Sequence, residues 1–221
     1  MPSPLLDAYL DLKYLLNRGY RKSTALNFVA NHYKLKKMER YFLARCVFSD
    51  KELENRQRKR MPIEFIRGRI LAVDGFNVLI TLESALEGKA ILCEDGFVRD
   101  LKYQRGYKLS EKTEEMLFVL LEFLSQFSPE KVVFLYDKPV SKSGEVAEIT
   151  GRIMKKVGLS GSAKAVPSPD FELKKFKTVA TSDFAVIDSV EHAVDIPQEY
   201  ALRRRIKIKT FREVLREFKL P

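Results

Sequence analysis

Beyond Pro62 the chain alternates short apolar runs with helical stretches, and this alternation is the tightest constraint on its fold. Strands separated by helices pair in parallel, because a helical crossover carries the chain back to the edge of the sheet from which the previous strand began. Strands are expected at 70–73, 132–136, 163–166, 178–181 and 206–209, and helices at 77–86, 111–127, 145–157, 170–176 and 211–218. EGKAILCEDGFVRDLKYQRGYKL, between the first two strands, is too long for an ordinary connection and is expected to hold a hairpin or a functional loop. The fold class is therefore α/β, a mainly parallel sheet with helices on both faces.

The chain before Pro62 has a different period. Leu5, Leu6, Tyr9, Leu12, Leu15 and Leu16 fall at helical spacing until Gly19 ends the pattern. A second helix is expected from near Ser23, then a basic break at 34–37, then a third helix carrying Met38, Tyr41, Phe42 and Arg45. This is a small all-α, helix-turn-helix-like unit. ENRQRKR at 54–60 reads as a polar, basic linker, so the expected division is 1–60, a basic helical domain, and 61–221, the α/β domain. Residues 1–60 hold 14 Lys and Arg against 6 Asp and Glu, most of the chain's net charge of +10. Phosphate backbones are the commonest partner of such a region, and a solvated, ion-paired surface is the alternative.

An apolar share of 45% excludes general disorder. No apolar run nears the roughly 20 residues that span a bilayer, and the first residues carry acids where a secretory signal carries bases, so a cytoplasmic protein without a membrane partner is expected. Cys46 and Cys93 stand far apart without a CxxC pattern, and neither His32 nor His192 has metal-ligand spacing to them. Neither zinc nor a disulfide is expected.

Three of the expected strands end the same way: RILAVD at Asp74, KVVFLYD at Asp137 and TVATSD at Asp183. Aspartate is depleted in strands. Parallel strands with right-handed crossovers put their C-terminal ends on one edge, where open α/β sheets bind ligands, so these carboxylates are expected to converge. Carboxylates held together repel and raise one another's pKa unless a cation sits among them. All-oxygen ligation suits Mg2+ or Mn2+, which activate water against a phosphodiester.

AVDGFNVLI, VVFLYDKPVSKSGE, SPDFELKKF and TVATSDFAVI, in this order, resemble the PIN and NYN group of metal-dependent ribonucleases over about residues 65–210. With its helical N-terminal region the chain is similar to a mainly archaeal family that pairs a helical domain with a PIN-like domain. The resemblance implies an RNA-cleaving site in which Asp74, Asp137, Asp170 and Asp183 are catalytic and Asn77 orients a ligand or water. It places the metal on Asp74, Asp137 and Asp183. Many of those proteins also carry a glutamate on a helix between the first two strands; here Glu94, Asp95 and Asp100 stand nearest, with Asp95 as the further metal ligand and Asp100 as a substrate contact.

Further substrate contacts are expected from Ser182, from Ser141 and Lys142 in PVSKSGE, and from Arg99 and Arg105 in the loop, where Lys108, Tyr103 and Tyr107 add charge and stacking surface. The implied partner is RNA, structured or tRNA-like RNA included, with a homodimer left open. Each residue has a plainer reading. Asp74, Asn77, Asp183 and Ser143 suit helix caps, Asp137 a turn, and Asp170 the first turn of a helix begun by Pro169. The second functional reading is a non-catalytic nucleic-acid binder, either a helix-turn-helix protein or an RNA adaptor with a degenerate PIN-like domain.

Overall fold

The structure, a computed structural model, describes residues 4–101, 107 and 109–217. Four helices come first: α1 (Pro4–Asn17), α2 (Lys22–His32), α3 (Lys37–Cys46) and α4 (Asp50–Lys59). β1 (Ile70–Asp74) and α5 (Gly75–Leu86) follow, then the hairpin of β2 (Ala90–Leu92) and β3 (Val98–Asp100). The chain continues through α6 (Glu111–Ser125), β4 (Lys131–Asp137), α7 (Ser143–Lys156), β5 (Gly161–Val166), α8 (Pro169–Leu173) and β6 (Thr178–Ala180). It closes with α9 (Phe184–Ile187), β7 (His192–Val194), α10 (Ile196–Arg203), β8 (Lys209–Thr210) and α11 (Phe211–Glu217).

The expected α/β architecture is present: a five-stranded sheet in the order β5-β4-β1-β6-β7, parallel throughout. Both faces are covered, and the period of two in each strand sorts its side chains between them. Leu71 and Val73 of β1, with Val132, Phe134 and Tyr136 of β4, enter the larger core under α5, α6 and α7. Ala72 and Leu135 point the other way, against Leu173 of α8 and Val186 and Ile187 of α9. Strands buried on both sides are written as unbroken apolar runs, which is why they stood out. Gly75 permits the close start of α5, since a Cβ there would lie 2.3 Å from the Tyr136 ring.

From β1 the chain builds outward through β4 and β5, then returns to the other flank of β1 for β6 and β7. The reversal of direction lies between β1 and β6, and it opens a crevice at their C-terminal ends.

Three expectations are corrected. Residues 54–60 are not a linker, because most of them belong to α4, whose N-cap Ser49 forms a reciprocal capping box with Glu52. The expected last strand joins no core sheet; β8 pairs with β2 in a separate sheet ordered β3-β2-β8. Cys46 and Cys93 form a disulfide, Cα to Cα 4.6 Å. Spacing along the chain is blind to it, since the cysteines meet only when the end of α3 packs on the hairpin. The helices also share a core with the rest of the molecule: Leu5, Leu12, Val29 and Phe42 pack with Ile91, Leu101, Phe211 and Val214.

Candidate active site

Asp74 ends β1 and Thr181 to Asp183 follow β6, so both lie at the crevice. Asp74 occupies the N-cap position of α5, yet its carboxylate makes no capping hydrogen bond. It accepts instead from Thr181 Oγ1 at 2.8 Å. Asn77, one turn into α5, spans the crevice: its Oδ1 accepts from the Ser182 amide at 2.8 Å and from the Ser182 hydroxyl at 3.0 Å. Those donors fix the orientation of the amide and leave its NH2 as the group that can serve a ligand.

Asp183 is a genuine cap, accepting from Ala185 N at 2.7 Å and Val186 N at 3.3 Å through one oxygen, Oδ1. Asp137 ends β4, partly exposed, and Asp170 sits in the first turn of α8, exposed.

These acids feel one another. Burial, and then the charges of Asp170 and Asp183, push Asp74 up to about 7, against the opposing hydrogen bond from Thr181. The backbone N–H of Asn77 also opposes the rise, although it lies outside capping geometry. Asp170, though exposed, is raised by partial desolvation against the fold, by Asp183 and by Asp137, with Lys174 opposing. The four carboxylates therefore form one electrostatic group across β4, β1, β6 and α8. The chemistry of this all-oxygen donor set fits a hard divalent cation. Its spacing is looser: among the described residues no group of three or more His, Cys, Asp or Glu side chains is placed to hold a metal ion.

The loop expectations are corrected. Asp95 is fully buried and paired with Arg99 at 2.6 Å and Arg56 at 3.1 Å, so it is not a metal ligand. Burial alone would raise it, but Arg99 and then Arg56 hold it below the usual carboxylate range. Arg99 is not a substrate contact: it is 1% exposed, and its remaining nitrogen, Nε, donates to the Ser182 carbonyl at 2.8 Å. Asp100 is buried against Arg45 at 3.0 Å, not offered to substrate. Glu94 is taken up by Tyr9, Lys13 and the Phe48 amide. Ser182 is buried and positions Asn77 instead of facing substrate. Ser141 and Lys142 are exposed in the turn after β4, with Lys142, not Ser143, at the N-cap position of α7. Arg105, Tyr103 and Lys108 lie outside the described residues. Tyr107 is buried, stacked on Phe76 with centroids 5.2 Å apart.

Two features escaped the sequence. HAVD is a further apolar run that stops on aspartate, just after β7, but Asp195 is structural: it accepts from Val98 N at 2.6 Å and caps α10 through Gln198 N at 3.0 Å. The signal is in the sequence, a short apolar run that stops on an acid as at Asp74 and Asp137. Arg56, buried in α4, had no local signal, since its partners Asp95 and Asp188 lie far along the chain.

Residues 63–199 match the family described as Domain of unknown function (DUF5616), and residues 4–59 match Protein of unknown function (DUF434). An uncharacterized protein of Methanocaldococcus jannaschii is 42% identical over 193 residues, covering 86% of this chain and 92% of its own. No solved structure matches the chain.

Proposed function

We propose that this chain, which belongs to the family described as Domain of unknown function (DUF5616), is a divalent-metal-dependent hydrolase of RNA phosphodiesters acting as an endonuclease. The observation that carries this reading is Asp74: at a helix start it forgoes the cap, stays partly exposed in the crevice, and is raised by burial and by two neighbouring carboxylates. A group with only a structural role would take the cap, as Asp195 does. Asp74, Asp137 and Asp183 would hold Mg2+ or Mn2+, with Asp170 beside them. The ion would supply a water activated at neutral pH and neutralise charge on the phosphate. Thr181 and Asn77 keep Asp74 and the β6 loop in register, and the Asn77 NH2 orients a ligand. Ser141 and Lys142 stand exposed after β4 where a phosphate would pass.

Arg45, Arg56, Lys59 and Arg60 are spent within the protein, on Asp100, Asp95 and Asp188, on backbone carbonyls, and on Gln198. The basic surface left for RNA is accordingly narrower than the net charge suggests. No helix among the described residues is long and apolar enough to cross a membrane. We place the activity in the cytoplasm, where a structural disulfide belongs mainly to proteins of hyperthermophiles.

The test is cleavage of a labelled single-stranded RNA in Mn2+, Mg2+ or EDTA by the wild type, Asp74→Asn and Asp137→Asn. Cleavage in either metal, lost in EDTA and in both variants, is expected; wild-type rates in the variants overturn the assignment. The looser spacing of the carboxylates favours a second reading, a non-catalytic nucleic-acid binder, which RNA binding without cleavage in either metal would establish.

A further inference from the structure

The single turn α9, which carries the Asp183 cap, is gripped at both ends from outside its own sheet. At its start, Arg99 Nε donates to the Ser182 carbonyl at 2.8 Å, while Nη1 and Nη2 fork onto Asp95 at 2.6 and 2.7 Å. Asp95 also accepts from Arg56 Nη1 of α4 at 3.1 Å. At its far end, Arg56 holds the Asp188 carboxylate through Nε at 2.8 Å and Nη2 at 2.7 Å. Lys59, one turn along α4, donates to the Asp188 carbonyl at 2.6 Å and the Ile187 carbonyl at 3.3 Å. Between the two grips the Phe184 ring meets Phe48 edge-on at 5.7 Å, with the Arg56 guanidinium 4.1 Å over Phe48.

We infer that the N-terminal helical unit is a positioning element for the site, and that Arg56 and Arg99 are the positioning residues that fix α9 and so aim Asp183 toward Asp74. Burying Arg56, Asp95 and Arg99 is a poor way to gain stability, because apolar side chains of similar volume usually serve as well or better. What a forked guanidinium adds is direction, two or three bonds at set angles to set atoms. Here the bonds end on the Ser182 carbonyl and the Asp188 carboxylate, the two flanks of one turn. The clamp stands on these contacts alone; that it serves cleavage rests on the proposed hydrolase.

The test uses the full chain. Arg99→Lys keeps a charge beside Asp95, but an ammonium cannot fork onto that carboxylate and also reach Ser182. Amide hydrogen exchange at 182–186 is expected to rise at least tenfold, with β1 and β4 unchanged. In Mn2+ the kcat for RNA is expected to fall tenfold or more at an unchanged KM. Unaltered exchange at 182–186 overturns the clamp, and raised exchange with unaltered kcat overturns its positioning role. A wild type that cleaves no RNA sinks the hydrolase reading while the exchange experiment still decides the clamp. Should Arg99→Lys fail to fold, Lys59→Met, which spares the buried network, is expected to loosen the same amides, and no change there is equally decisive.

Discussion

At the scale of single residues, acids at strand ends divide by what they do with the next helix. Asp183 and Asp195 cap, while Asp74 stays uncapped beside like charges, and this difference has a signature in pH. The folded protein keeps a proton on Asp74 up to about 7, where the unfolded chain has lost it from about 3.8. Between those values the native state binds more protons, so stability falls as pH rises and levels off above about 7. Lys22 acts in the opposite direction. Its Nζ is buried with no hydrogen-bond partner among the described residues, 3.6 Å over the Phe48 ring, and burial lowers it from 10.5 to about 7. From about 7 to 10.5 the unfolded chain holds the extra proton, so stability rises with pH. Urea melts in EDTA across pH 4 to 10 are therefore expected to give a minimum near neutrality. Asp74→Asn should flatten the acid limb by at most about 4 kcal/mol, and by less in proportion to the solvent contact of that carboxylate. Lys22→Met should flatten the alkaline limb, and a profile unchanged by both substitutions would contradict the two assignments. The acids that end β1 and β4 and the one that follows β6 were legible because buried parallel strands are written as apolar runs that stop abruptly. The burial of Asp95, Arg99 and Asp100 was not, because the partners that bury them come from α3 and α4, far off in sequence.

At the scale of elements, what the sequence hid was short or polar. α4, DKELENRQRK, is a charged helix with one fully buried residue, Arg56, so it has no apolar stripe to find. Its start was written plainly: Ser49 and Glu52 carry the S-x-x-E signature, with Glu52 Oε2 accepting from the Ser49 amide at 2.7 Å. β7 is three residues long and carries too little periodicity to be read. Because α4 supplies the clamp on α9, its cap should matter at a distance. Ser49→Ala is expected to cost about 1 kcal/mol of global stability. It is also expected to raise hydrogen exchange in α4 and at 184–188 together, while α7, on the opposite face of the sheet, stays protected. If α4 loosens and 184–188 does not, the two elements are not mechanically coupled.

At the scale of the whole molecule, the expected division at residue 60 separates two sequence patterns but cuts through one body of packing. α1, α2 and α3 bury their apolar faces against Ile91, Leu101, Phe211 and Val214, so removing residues 1–60 would expose that surface and strip Asp95 and Asp188 of Arg56. Either loss is severe, the first by lost burial and the second by leaving a buried carboxylate with fewer partners. A truncated 61–221 chain is thus no test of RNA binding by the helices, and unfolding of the full chain should be one event. The disulfide from Cys46 of α3 to Cys93 beside the hairpin reinforces this, closing a loop of sequence separation 47. In the loop-entropy account, such a link contributes about 4 kcal/mol by restricting the unfolded chain, an upper figure because strain and residual structure subtract from it. Guanidinium melts followed by far-UV circular dichroism and by tyrosine fluorescence are expected to coincide in a single transition. A thiol reductant, or Cys46→Ser with Cys93→Ser, should move that transition to lower denaturant without splitting it. The apolar contacts and the Arg56 network still join the two parts when the sulfurs do not. Two separated transitions in the reduced protein would mean that the disulfide alone unites them, and the helical unit would then be a tethered module instead of part of the frame that holds the site.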